Sequence, residues 1–445
     1  MNFASILDGK LLLTSEIPLS APTITYLQRT QQLIPTDSIT NKFHKKHCQR
    51  CGNRQQHQFA IIDCSRCHQS HWYCRHCVET GRVLACDPLW RWRGNKISWL
   101  FQANPCDWQG ELTPTQQQAA NTLTAAVITK QKEQMIWAVC GSGKSEMLFP
   151  AITYAIRERK RICLATPRAD VVRELFPRLC QAFPHTEIEA LYADSEDRTG
   201  TGQLVITTTH QLIRYQQAFD LMIIDEVDAF PFHHDPALPK LTTRACRADA
   251  TTIYLTATPR RDHQQRIKRK QLPVVFVPIR FHLQPLPVPV LKLEWQLRQK
   301  LKQQHRSQQF EKFRHSRSKS RQLLIFVPTI ALTQAIASQY QATAVHAEDP
   351  ARKEKVEQFR QKQIDTLVTT TILERGVTFP SVDVVILDAG HEVFDEAALI
   401  QIAGRAGRSP DDPTGHVLFI HQGKTEAIEA AVKQINMMNK KGVAL

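Results

Sequence analysis

The sequence predicts an α/β protein of two tandem parallel-sheet lobes with a cysteine-rich module in front of them. Three observations predict it. From about Leu112 onward, short apolar runs alternate with stretches suited to helices, the rhythm of a parallel sheet wrapped by helices. A Pro-rich break at 278–290, followed by a basic, Gln-rich segment, divides that rhythm into two sets. Six cysteines fall within residues 48–77, ahead of both sets. The length of 445 residues exceeds one ordinary core and suits two or three domains.

Taken in order, residues 1–46 have mixed polarity and no sustained period, and read as a peripheral leader. Residues 47–110 form the cysteine module, with Trp90, Trp92, Trp99 and Trp108 in its second half, expected to pack against it. In lobe one, 111–275, the runs 135–139, 161–165, 204–207, 221–224 and 252–255 read as buried strands, because they are almost continuously apolar. Helices are expected over 146–157 and 169–183. Residues 276–321 read as a basic joint. Lobe two, 322–445, repeats the pattern with strands at 323–327, 343–346, 366–369, 384–387 and 416–420.

Charge points to a polyanionic partner. The chain has 57 Lys and Arg against 42 Asp and Glu, a net charge of +15. Residues 260–321 alone hold seventeen basic residues against three acids, so this segment, with Arg266 and Lys268, is expected to line a nucleic-acid path. No apolar run is long enough to span a bilayer, and the first residues lack the basic start of a secretory signal. The twelve cysteines are therefore expected in a reducing cytoplasm, where clustered pairs mean metal rather than disulfides.

The strongest motif is Ala138-Val139-Cys140-Gly141-Ser142-Gly143-Lys144-Ser145, between an expected strand and an expected helix. Glycines let backbone amides approach phosphates, and the helix N-terminus favours the anion. Lys144 would neutralise the outer phosphates of ATP, and Ser145 would ligate Mg²⁺. The first position holds Ala138 where the strict pattern has Gly. Gln116 and Gly376 complete the candidate nucleotide contacts, with 140–145. Downstream, Leu221-Met222-Ile223-Ile224 releases Asp225, Glu226 and Asp228 at a strand end. Asp225 would hold Mg²⁺, and Glu226 would orient or deprotonate the attacking water. In lobe two, Gln401, Arg405 and Arg408 lie in Gln401-Ile402-Ala403-Gly404-Arg405-Ala406-Gly407-Arg408. These guanidinium groups are expected to reach the γ-phosphate across a cleft. Hydroxyls and polar groups after other strands suit sugar–phosphate contacts: Thr166, Arg168, Thr209, His210 and Thr370. Thr256 and Thr258 are expected to couple nucleotide state to the nucleic acid.

The cysteines are spaced Cys48-x2-Cys51-x12-Cys64-x2-Cys67-x6-Cys74-x2-Cys77. Two such pairs close one tetrahedral zinc site, and spacing alone does not choose which two. Cys64 and Cys67 can replace one pair, or join His68, His71 or His76 at a second metal.

In this order and spacing, the motifs over about 112–445 resemble those of superfamily 2 helicases, which implies two RecA-like lobes. Asp225-Glu226-Val227-Asp228-Ala229-Phe230-Pro231, Thr207-Thr208-Thr209-His210-Gln211-Leu212, Leu373-Glu374-Arg375-Gly376-Val377-Thr378-Phe379-Pro380 and the N-terminal cysteines resemble the ComFA family of late-competence helicases more narrowly. Tyr73-Cys74-Arg75-His76-Cys77 with Gly81-Arg82-Val83 matches that family's pattern, which selects Cys48, Cys51, Cys74 and Cys77 as the zinc ligands. Thr378 stands where many related helicases have Asp. The resemblance implies an ATPase that binds single-stranded DNA and helps draw it into the cytoplasm. It also implies association with ComFC and other competence proteins, and at most a peripheral place at the inner membrane face. The replication-restart helicase PriA shares parts of the pattern, but its cysteines lie inside its second lobe. A PriA-like helicase and an ATP-switched scaffold that does not step along DNA are the other two readings.

Overall fold

The computed structural model describes residues 3–43, 45–193, 195, 199–375 and 379–443. Lobe one is built on a seven-stranded, all-parallel sheet. Its order is Ile188–Leu191, Leu204–Thr208, Ile162–Thr166, Phe219–Ile224, Cys246–Thr256, Glu133–Ala138 and Val274–Val277. The helices Pro114–Ile128, Lys144–Arg157 and Ala169–Ala182 flank it. The central strands are buried along almost their whole length, so nearly every residue in them is apolar.

Lobe two carries a six-stranded, all-parallel sheet. Its order is Val290–Leu293, Val417–His421, Val382–Leu387, Gln322–Phe326, Thr366–Thr369 and Thr343–Val345. The segment read as a joint is therefore divided between the lobes. Val274–Val277 is the last strand of lobe one, and from Val290 onward the chain belongs to lobe two. Leu297, Leu301 and Phe310 are buried with Leu323, Ile325 and Val385 in one core. A basic, Gln-rich sequence conceals this, because only a few apolar residues do the anchoring.

One carboxylate organises that turn. Glu294 is buried and accepts from the Ser307 hydroxyl at 2.5 Å, Lys300 Nζ at 3.1 Å, and the amides of Gln308 and Gln309 at 3.1 and 3.2 Å. It thus satisfies free amides at the start of the helix Gln308–Ser316. Burial alone would raise its pKa, but the Ser307 and Lys300 bonds hold it below the usual glutamate value.

The first 46 residues are not a peripheral leader. Leu11–Leu13, Leu89–Trp92 and Leu33–Thr36 form a three-stranded antiparallel sheet, in that order. Leu7, Leu12, Ile17, Leu27, Leu33 and Trp90 make its own small core. Trp90 Nε1 donates to Thr14 Oγ1 at 2.9 Å, so one of the tryptophans packs here. The cysteine module has two hairpins, Ile39–Lys42 with Lys45–Cys48 and Phe59–Asp63 with Ser70–Cys74, the latter extended by Val83–Leu84. The module shares a core with lobe one, where Cys48, Cys51, Phe59 and Val83 meet Leu212, Ile213, Tyr215 and Leu241.

Glu294→Gln is expected to lower the stability of lobe two by about 1–3 kcal/mol at neutral pH, the scale of losing hydrogen bonds to a charged group. The folded pKa lies below the unfolded one. The carboxylate's contribution is therefore complete above the ordinary glutamate range and is lost as pH falls through the lowered folded value. Denaturation curves at several pH values should show the difference from wild type shrinking on acidification.

Candidate active site and metal centre

The buried strand Glu133–Ala138 runs into the loop 139–143, and the helix Lys144–Arg157 starts directly behind it. Gly141 and Gly143 take φ of 79° and 70°, left-handed values that disfavour a side chain. At Gly143 a Cβ would also lie 2.3 Å from Gln116 Nε2. Gln116 is fixed from both sides: its Oε1 accepts from Thr113 N at 2.8 Å and its Nε2 donates to Ser142 O at 2.8 Å. The loop amides and the helix N-terminus are thereby presented to one cleft.

That cleft, about 480 Å³, lies between the lobes. Gln116, Cys140, Gly141, Ser142, Gly143, Lys144 and Ser145 line it from lobe one, together with Asp225 and Glu226. Gln401, Arg405 and Arg408 line it from lobe two. Gly376 and Thr378 lie outside the described residues. The lobes touch closely: Cys140 Sγ donates to Gln401 Oε1 at 3.0 Å, and a Cβ on Gly404 would lie 2.7 Å from Cys140 Cβ.

Asp225 follows the strand Phe219–Ile224, and burial pushes its carboxyl up to about 6, against the pull of Lys144. Glu226 has φ of 52°, a left-handed strain on a non-glycine residue. Its Oε2 is buried without a hydrogen-bond partner. Ser145 and Asp225 supply the oxygen donors that Mg²⁺ takes.

Across the cleft, Arg405 is buried and donates through Nε to Glu374 O at 3.0 Å. Its Nη1 is buried without a partner, and burial with Arg408 nearby holds its pKa well below the usual arginine value. Arg408 Nε donates to Gly404 O at 3.2 Å. Sequence reasoning missed Arg280, which is buried beside them and donates to Gly407 O. Burial, then Arg408, brings its pKa down to about 10. Phe281, next to it, binds Gly141 O through its amide at 3.0 Å and lines the cleft. A concentration of desolvated guanidinium groups facing a glycine loop and Lys144 fits a polyphosphate anion.

Sequence reasoning also missed the pair that joins the lobes. Asp228 is fully buried and accepts from Thr256 Oγ1 and Thr258 Oγ1, both at 2.5 Å, and from Arg375 Nη2 of lobe two. Burial opposes its ionisation, but Arg375 and the two threonines hold its carboxyl well below the usual aspartate range. Arg375 Nη1 also lies 3.7 Å from Glu226 Oε2. Arg375 stood inside a quoted motif, but nothing local in the sequence indicates its partner.

Thr166 and Thr209 are buried, while His210 is half-buried, and burial lowers its pKa. They stand at or just beyond the carboxyl ends of the neighbouring parallel strands Ile162–Thr166 and Leu204–Thr208. Arg168 donates to Ile372 O of lobe two at 3.1 Å, which brings Thr370 to the same place. Arg266 is not part of that group. It pairs with Glu133, the first residue of the strand Glu133–Ala138, at the amino end of that strand. A six-residue strand spans roughly 20 Å, so the Arg266 side chain is committed to the amino end of the strands, although the helix Arg261–Lys268 starts near their carboxyl ends.

Cys48, Cys51, Cys74 and Cys77 are buried, with their four sulfurs within 4.8 Å of one another. Cys48 Sγ and Cys77 Sγ are 3.8 Å apart, and Cys51 Sγ and Cys74 Sγ 3.7 Å. A zinc ion with bonds of about 2.3 Å at the centre of a tetrahedron requires edges of about 3.8 Å, so the four thiols fit it. Cys64 and Cys67 lie outside this cluster.

Residues 1–91 match the family described as competence protein ComFA N-terminal domain. Residues 109–261 match the type III restriction enzyme res subunit, and 308–410 the helicase conserved C-terminal domain. Competence protein ComFA of Bacillus subtilis is 40% identical over 441 residues, covering 98% of this chain and 94% of that protein. The Streptococcus pneumoniae ComFA is 36% identical, covering 89% and 91%. A transcription-repair-coupling factor from Staphylococcus haemolyticus is 23% identical over 75% of this chain but only 29% of its own length. In fold, the chain is similar to S. cerevisiae Dbp5 bound to RNA and ADP BeF3, with a TM-score of 0.52 at 14% identity, covering 74% of this chain and 92% of that one. With its two RecA-like lobes, its nucleotide cleft and its full-length relatives, the chain belongs to the ComFA family of superfamily 2 helicases, and it is an ATPase of that class.

Proposed function

We propose that this protein is an ATP-driven translocase on single-stranded DNA that serves the uptake of transforming DNA. The observation that carries the reading is the buried link Thr256/Thr258–Asp228–Arg375, which ties the hydrolytic acids of lobe one to the segment just after Thr370 in lobe two. A change in how tightly the cleft closes would act on that link and so on the strand ends. Partners such as ComFC rest on the family resemblance alone. Among the described residues, no helix is long and apolar enough to cross a membrane.

The residues divide the work as follows. The loop amides and Lys144 hold the phosphates. Glu226, adjacent to Asp225 in the cleft, orients and deprotonates a water for attack on the γ-phosphate. Arg405 and Arg408 meet charge that develops on the transferred phosphoryl group, and Gln401 holds the lobes in register through Cys140. Mg²⁺, when bound by Ser145 and Asp225, supplies further neutralisation of phosphate charge. Loss of the γ-phosphate removes the anion that draws Arg405 and Arg408 to lobe one. Opening of the cleft then shifts Arg168 and Thr370 relative to each other, which moves the phosphate grip along the strand.

ATP turnover measured with and without single-stranded DNA, together with displacement of streptavidin from a biotinylated strand, tests the proposal. Stimulated turnover with displacement is expected. Turnover indifferent to DNA would leave only the ATP-switched scaffold.

Lys144→Ala should abolish hydrolysis and leave single-stranded DNA binding intact in a filter-binding assay. Wild-type turnover in that variant would remove the glycine loop from the mechanism. Arg405→Ala should lower kcat by about 10²–10³-fold, as loss of one transition-state donor does, with a much smaller change in nucleotide affinity. Arg375→Ala should uncouple: nucleotide still binds, but DNA no longer accelerates turnover. It should also destabilise the closed form by about 3–5 kcal/mol, because Asp228 is left buried without its cation.

A further inference from the structure

We propose that Cys64, Cys67, Cys86 and His71 form a second zinc site, separate from the four-cysteine centre. The argument begins with a repeated turn. In the first knuckle, Cys48 N donates to Asn53 O at 3.0 Å and Gly52 N donates to Cys48 O at 2.9 Å. In the turn between Phe59–Asp63 and Ser70–Cys74, Cys64 N donates to Gln69 O at 2.9 Å and His68 N donates to Cys64 O at 2.8 Å. Both bonds have the same offsets in the two turns. The residue after the second cysteine is left-handed in both, with φ of 76° at Gly52 and 56° at His68. His68 adopts this conformation although it costs a non-glycine residue about 1 kcal/mol or more.

The third thiol comes from outside the CxxC spacing. Cys86 follows the strand Val83–Leu84, and its loop is held by Ala85 N to Trp72 O at 2.8 Å and Asp87 N to Leu84 O at 3.0 Å. The Cys64, Cys67 and Cys86 sulfurs lie within 4.8 Å of one another. Arg66 in the knuckle pairs with Asp87 beside Cys86 at 3.1 Å, tying the two ligand segments together without metal. His71, on the strand Ser70–Cys74, places Nε2 3.2 Å from Cys67 Sγ, outside the three-sulfur cluster, and would complete the set by turning toward it on metal binding. Three thiolates and one imidazole are a common structural zinc set.

Such a site clamps the tip of the long hairpin to the loop leading into Leu89–Trp92, the strand that pairs with Leu11–Leu13. Zinc would thus fasten the cysteine module to the N-terminal sheet. Cys67 is exposed and Cys86 half-buried, whereas the four ligands of the first centre are buried. The second ion should therefore leave first.

The test uses the full chain, purified under reducing conditions and freed of loose metal. Mass spectrometry should find two zinc ions per wild-type chain, and one in each of Cys86→Ser, Cys67→Ser and the Cys48→Ser/Cys51→Ser double variant. Transfer of wild-type zinc to a chelator should be biphasic, with the fast phase absent from Cys67→Ser. Cobalt in the wild type minus cobalt in Cys67→Ser should show thiolate charge-transfer bands. His71→Ala should release the fast ion at least about 10-fold sooner. One zinc in the wild type, or two in Cys67→Ser, overturns the second site, as does a Cys86 disulfide in thiol counts. Cys67 is exposed, so its variant should fold, and its ATP turnover verifies this. Two ions retained in the double variant would overturn the first centre only.

Discussion

The closed arrangement of this molecule depends on one buried carboxylate. Asp228 has no access to solvent, and an isolated charge there would be expensive. It is tolerated because Thr256, Thr258 and Arg375 converge on it from three places in the chain. Its own backbone carbonyl is held by Arg260, which pairs with Asp395 of lobe two at 2.9 Å. Two of these cation contacts cross between lobes. Separation of the lobes would strip Asp228 of its cation and Arg375 of its anion at once. Opening would therefore require that water enter or that another ligand take over, a cost that favours discrete over gradual opening.

The nucleotide half of the site was legible because its signals are local. A strand, a glycine turn and a helix lie within two dozen residues, and the chemistry follows from adjacency. The same holds for the buried strands, whose continuous apolar runs have no other stable place. What was not legible depends on distance. Leu11–Leu13 is a strand because Leu89–Trp92 lies beside it, and the register pairs Leu11 with Arg91. No window along the first 46 residues contains that partner, so they looked like a leader. Cys86 lacks a CxxC companion and was invisible for the same reason.

Charge is read differently. Residues 260–321 are strongly basic, and the count is correct. The count does not contain the partners. Arg266 meets Glu133, Arg298 meets Asp388 at 2.7 Å, Arg317 meets Asp383 at 3.1 Å and Arg321 meets Asp412 at 2.6 Å, each carboxylate lying outside the segment. Arg280 is buried at the cleft. Part of the excess is thus consumed inside the two lobes and at the cleft. Under the proposed function, the contacts to a polyanion would fall to strand ends that carry little formal charge, and neutral hydroxyls and amides would let each phosphate go as readily as they bind it.

The docking of the cysteine module follows the same electrostatic logic. Arg50 lies between two of the first centre's ligands, is fully buried, and pairs with Glu16 at 2.5 Å. Arg244 of lobe one reaches into the same place and donates to the carbonyls of Arg50 and Gln49, and to Ile213 O at 2.6 Å. One carboxylate is too little anion for two guanidinium groups sharing so small a volume. A zinc ion held by Cys48, Cys51, Cys74 and Cys77 would give that cluster a net charge of −2. Such a centre would offset the positive charge of Arg50 and of lobe one's Arg244. A module held in this way could not swing away from lobe one without exposing uncompensated charge on both sides.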